Sequence, residues 1–138
     1  GLLPCVRAWC WSDRRPVLFA RDVHVVLAVL TMLTLAVATV EGAVRALRAC
    51  PAGAAAERTR AAVLLAVGMN VASGLALLAV GDRPREWLHL VYAVLVFGLV
   101  PVADNAASSL RSDRGKALTR VGGGLVSLVV ITRLFQTG

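Results

Sequence analysis

Four stretches of the chain are almost purely apolar, and the polar residues gather between them. Val23 to Gly42 reads VHVVLAVLTMLTLAVATVEG, with Glu41 as its only internal charge. Ala61 to Val80 (AAVLLAVGMNVASGLALLAV) and Trp87 to Ala103 (WLHLVYAVLVFGLVPVA) carry no charge at all. The fourth stretch, Ala117 to Phe135, contains Arg120 and Arg133. Crossing a hydrocarbon layer of about 30 Å takes about 20 helical residues, with roughly 17–25 observed. The first three stretches meet that length. In the fourth, only the twelve residues Val121 to Thr132 are free of charge, a rise of about 18 Å, so both arginines must reach toward headgroups for it to span.

Lipid offers the backbone no hydrogen-bond partners, so a span must satisfy its own N–H and C=O groups. Unbroken apolar runs do so as helices, whereas a membrane barrel would show alternating segments of about ten residues. The pattern therefore predicts an all-α fold: a single domain, 1–138, forming an up-down bundle of four transmembrane helices at about 23–42, 61–80, 87–103 and 117–135. Residues 1–22 precede the bundle as an interfacial segment, in which Trp9, Trp11 and Phe19 mix with arginines. No apolar stretch of 7–15 residues there reads as a secretory signal. Gly81 to Glu86 is short enough to force an antiparallel hairpin. Ala43 to Arg60 continues the first helix until Pro51 breaks it, and Ala52 to Ala56 reads as loop. Asp104 to Lys116 joins the third and fourth spans.

Composition narrows the class. Hydrophobic residues make up 58% of the 138 and charged ones 17%, against about 45–50% and 25% in soluble domains. That excludes a disordered tail, a collagen-like chain and an ordinary soluble enzyme. The net charge of +7 would point to nucleic acid in a soluble protein. Here the basic residues flank the spans, where anionic lipid headgroups are the partner and nucleic acid is not. One side of the predicted bundle carries Arg7, Arg14, Arg15, Arg21, Arg83, Arg85 and Arg133; the other carries Arg45, Arg48, Arg58, Arg60, Arg111, Arg114, Lys116 and Arg120. Seven against eight barely sets an orientation; the longer loops hold the eight, which leans both termini outside. Cys5 and Cys10 can pair where the N-terminal side is oxidising, and Cys50 lies on the opposite side; their spacing makes no zinc site.

Candidate chemistry is sparse. The chain has two histidines, His24 near the start of the first span and His89 near the start of the third. Spans one and three run in the same direction, so both histidines fall at similar depth on one side. Helices one and three of a four-helix bundle can face each other across the core, and imidazole is a common axial ligand of haem iron. On a helical wheel, His24 shares a face with Ala28, Thr31, Leu35, Ala38 and Gly42, opposite Val26, Leu30, Leu33, Val37 and Val40. That points His24 inward, with Arg21, Arg83 and Arg85 available to haem propionates. Both histidines also lie within three residues of a charge, Asp22 or Glu86, and interfacial anchoring at headgroup depth is the favoured account of them. Asn70, mid-span beside Gly74, is expected to form an interhelical hydrogen bond, since a polar group at that depth needs a partner. Gly123 and Ser127 form a small-xxx-small seam for close helix packing. Glu41 is expected to pair with Arg45 one turn on. No nucleophile with a His/Asp partner, HExxH motif, phosphate loop or paired intramembrane carboxylate is present, which argues against an enzyme.

Two stretches carry a resemblance. Glu86-Trp-Leu-His-Leu-Val-Tyr and the C-terminal Arg133-Leu-Phe-Gln-Thr-Gly, with Val23-His24-Val25-Val26 opening the first span, resemble a loose group of small, uncharacterised four-helix bacterial membrane proteins. In that group Leu-His-x-x-Tyr-Gly opens the third helix; here Ala93 stands for the Gly. A fainter similarity, resting on His24 and His89, is to four-helix b-type cytochrome bundles. High Ala, Arg and Val usage resembles that of a high-GC bacterium. The expectation is a multi-pass protein of the bacterial cytoplasmic membrane, a non-catalytic accessory subunit of a larger respiratory or photosynthetic electron-transfer complex, with lipid and other membrane subunits as partners. The alternative is a haem b electron carrier with His24 and His89 as axial ligands and haem b as its only cofactor. A small transporter or channel ranks third.

Overall fold

The computed structural model describes residues 14–48, 50, 53–82 and 87–137. Cys5, Cys10, the first part of the interfacial segment and Arg83, Arg85 and Glu86 lie outside the described residues. Four helices make up the fold: α1 (Arg14–Arg48), α2 (Ala54–Ala79), α3 (Leu88–Ser108) and α4 (Asp113–Thr137). All four are long and apolar enough to cross a membrane. At 1.5 Å per residue, the 21 residues of α3 rise about 32 Å and the 35 of α1 about 52 Å.

The helices outrun the apolar stretches because polar residues extend them. Arg14 to Asp22 is continuous with the first span, so that part of the interfacial segment is helix. Ala54 to Ala56, expected as loop, already belongs to α2, since alanine is the strongest helix former. The link between α3 and α4 shrinks to residues 109–112. Local chemistry sets several ends. Gly81 adopts φ +86°, with Gly81 N–H donating to Leu78 O and Asp82 N–H to Leu77 O, both at 3.1 Å. This is a Schellman stop, which a side chain at residue 81 would strain. Ser112 caps α4 by accepting the Gly115 N–H at 2.9 Å. Pro101 sits inside α3 without ending it.

The four helices form a ring in chain order. α1 packs on α2 and α4, and α4 packs on α3, while α2 and α3 barely touch. α1 therefore stands across the bundle from α3. The middle of the bundle is filled from all four helices by Leu35, Val63, Val67, Val96 and Ile131. Glycine sets the approach of α4. A Cβ on Gly123 would collide with the Ala103 Cβ of α3, and one on Gly124 with the Thr39 hydroxyl of α1. The seam of small residues at Gly123 and Ser127 is thus used within this bundle, and Ser127 is fully buried.

The wheel of α1 has the inward face expected of it. Ala28, Thr31 and Leu35 are buried, whereas Val26, Leu33, Val37 and Val40 are each more than half exposed. Large aliphatic side chains are exposed on all four helices, and Thr31, Thr39 and Ser127 are buried among the apolar residues inside. Thr31 is 1% exposed and its hydroxyl is shared between Leu27 O at 2.7 Å and Ala66 O at 3.1 Å, tying α1 to α2.

One end of the bundle is closed by ions. Asp104 of α3 accepts from Arg120 of α4 at 3.1 Å and pairs with Arg60 of α2. Glu41 and Arg45 pair on α1 at 2.5 Å, as their spacing predicts. The four cations lining the cleft at this end, Arg45, Arg60, Lys116 and Arg120, each have a carboxylate partner. The exposed thiol of Cys50 lies here too.

Candidate functional site

The other end is open. Between the helices lies a cavity of about 860 Å³, within the range of about 300–1,000 Å³ typical of small-molecule and cofactor sites. Its walls are mostly aliphatic, and both histidines front it. His24 comes from α1 and His89 from α3, across the ring.

Register places them at one level. On α1 and α2, Thr31 bonds Ala66 and His24 bonds Ser73, seven residues further along each helix. On α2 and α3, Arg60 pairs with Asp104; counting fifteen residues along each helix from there sets His89 opposite Leu75. His24 is level with Ser73 and His89 with Leu75, a difference of about 3 Å along the bundle.

His24 is held firmly. Its Nδ1 lies 2.8 Å from the Ser73 hydroxyl, which donates its one proton to Asn70 O, also at 2.8 Å. A hydroxyl whose proton is committed can only accept, so Nδ1 of His24 carries the hydrogen and Nε2 the lone pair. Gly74 makes room for the ring: a Cβ there would stand 3.2 Å from Cε1 of His24. Ser73 is a site residue that sequence reasoning missed. Its signal was its place beside Gly74 on the face of Asn70, but pairing it with His24 required the α1–α2 register.

His89 is held differently. Its Nδ1 is buried with no hydrogen-bond partner. Asn70 also lines the cavity, and its side-chain Oδ1 is likewise buried without a partner, so the interhelical bond expected of this oxygen does not form. Gly74 serves His24 as well as helix packing. Gly123, which meets Ala103 in the α3–α4 seam, and the buried Ser127 do not line the cavity.

The cavity has a rim and a mouth. Arg21 and Asp82 stand at the polar rim, beyond the histidine level. Leu75 of α2 and Leu90, Val94 and Phe97 of α3 line the cavity and are also substantially exposed, as are Val25 of α1 and Phe135 of α4; where α2 and α3 barely touch, the cavity has an apolar opening.

These residues fit a haem. Two imidazoles from opposite helices share one cavity, one with its tautomer set to leave Nε2 free. Ala28, Gly74 and Ala93 keep the walls near the histidines low, and Arg21 offers a cation at the end where propionates would emerge. The buried Nδ1 of His89 and Oδ1 of Asn70 have no partner in the fold, at a cost of about 1–3 kcal/mol each, and a haem held through Nε2 of His89 would leave that Nδ1 as it is. No protein-family model, curated protein or solved structure matches this chain.

Proposed function

We propose that this chain is an integral, multi-pass protein of the bacterial cytoplasmic membrane that holds one haem b between His24 and His89 and carries single electrons within an electron-transfer chain. The membrane reading is supported by four apolar helices whose outer faces expose large aliphatic side chains along their length. A soluble monomer seldom exposes such continuous apolar surface. The cofactor reading rests on one observation: histidines sixty-five residues apart in the chain front a single large cavity at the same level.

When bound, haem supplies reversible one-electron exchange at its iron. The chain does the rest. His24 presents Nε2 because Ser73 holds its Nδ1–H. Such a hydrogen bond fixes ring orientation and strengthens the donor nitrogen. His89 presents the facing imidazole, Arg21 draws acidic groups to the rim, and the aliphatic walls exclude water.

The absorption spectrum of protein purified from membranes in mild detergent tests this. An intense Soret band is expected, abolished in the double variant His24→Ala/His89→Ala. A colourless wild type that also fails to take up added haem contradicts it. A second reading, a cofactor-free accessory subunit of a larger electron-transfer complex, is favoured by the unbroken apolar outer faces, which suit partner helices as well as lipid. Its mark is colourless protein recovered in fixed ratio with other membrane subunits.

A further inference from the structure

The two histidines are supported unequally, and the difference falls on the side where the cavity opens. His24 sits mid-helix in α1, the helix with two full neighbours, its Nδ1–H bonded to Ser73 and its ring lying over Gly74. His89 is the second residue of α3, and its Nδ1 has no partner. Its helix hardly touches α2, and the mouth beside it is lined by Leu90, Val94 and Phe97. Moving the His24 ring breaks a hydrogen bond; moving the His89 ring breaks none.

Resting on the haem reading above, we propose that His24 is the permanent ligand and His89 an exchangeable one, displaced by a small uncharged diatomic molecule that enters between α2 and α3. The occupant follows from the chemistry of the entrance. The mouth is wholly aliphatic and aromatic and faces the apolar surface, where uncharged diatomic gases dissolve better than water or ions. With haem held as above, His89 would give up its place as a ligand to the entering molecule, one ligand for another. No electron or proton is transferred, and the freed imidazole stays tethered to α3, ready to return. The protein would then bind a gas reversibly in addition to carrying electrons, with His89 reporting occupancy to α3.

Two measurements test this. The first needs no haem. Nitrogen NMR of the histidine-labelled protein in detergent is expected to show His24 locked as the Nδ1–H tautomer and His89 exchanging between both; a locked His89, or a mixed His24, overturns the proposal. The second uses the haem-loaded protein, reduced and exposed to carbon monoxide. Wild type is expected to bind it at a rate that levels off with gas concentration, limited by departure of His89. His89→Ala is expected to keep its haem and to bind carbon monoxide faster than wild type, at a rate that no longer levels off with gas concentration. His24→Ala is expected to lose its haem. Haem-loaded wild type that refuses carbon monoxide, or His89→Ala losing haem while His24→Ala keeps it, overturns the assignment and leaves the haem reading standing. Wild type that takes up no haem overturns both.

Discussion

Adjacent glycines on α4 have opposite duties. Gly123 and Gly124 admit Ala103 and Thr39, whereas Gly122 faces open space. Gly123→Ala and Gly124→Ala should each lower stability by about 1–3 kcal/mol, the usual cost of forcing extra volume into a packed seam; Gly122→Ala should cost nothing. Thermal unfolding in detergent separates the three. Ser127 makes the reverse case: its hydroxyl is fully buried without a partner. Ser127→Ala should hold stability level or raise it by up to about 1 kcal/mol, because an unsatisfied buried hydroxyl is itself a cost. A clear loss in the same assay would show that the hydroxyl has a partner. The inward face of α1 was legible in the sequence, because the wheel separates small residues from large ones. The roles of Ser73 and of the unpaired Asn70 Oδ1 were not, since both depend on the neighbouring helix and on its rotation.

At the scale of helices, hydropathy located the spans but not the helix ends. An apolar run marks what lipid tolerates, and polar residues such as Arg14 to Asp22 extend a helix as readily. Ends were legible where local chemistry sets them, as at Gly81, and not at Ala54, where alanines propagate helix from within a stretch read as loop. The packing order, with α2 and α3 splayed, had no sequence signal at all, yet it creates the cavity's mouth. Its counterpart is the ion cluster at the far end, where Asp104 joins Arg60 and Arg120. Asp104→Asn should loosen three helices at once. The arginines are partly exposed, so the expected loss is only about 1 kcal/mol, near the upper limit for solvated pairs. It should shrink in high salt as screening replaces the lost partner. A loss independent of salt would mean the cluster acts by packing alone.

For the whole molecule, the ion cluster and the histidine cavity mark opposite ends, and the two ends should face opposite sides of the membrane. Cys50, exposed at the ion-cluster end, reports which is which. The eight basic residues on that side, against seven on the other, lean that end inside. In a Cys5→Ser/Cys10→Ser variant, an impermeant maleimide should label Cys50 only after cells are permeabilised. Labelling of intact cells would reverse the orientation while leaving the bundle unchanged. Residues 24 and 89 would then sit toward the inner face.

The proposed function turns on two imidazoles meeting at one iron. Low-temperature EPR of the oxidised, haem-loaded protein addresses that meeting most directly. The account expects a low-spin spectrum in wild type that turns high-spin in His89→Ala. A high-spin wild type, or a low-spin signal that survives removal of His24 and His89 together, would contradict it.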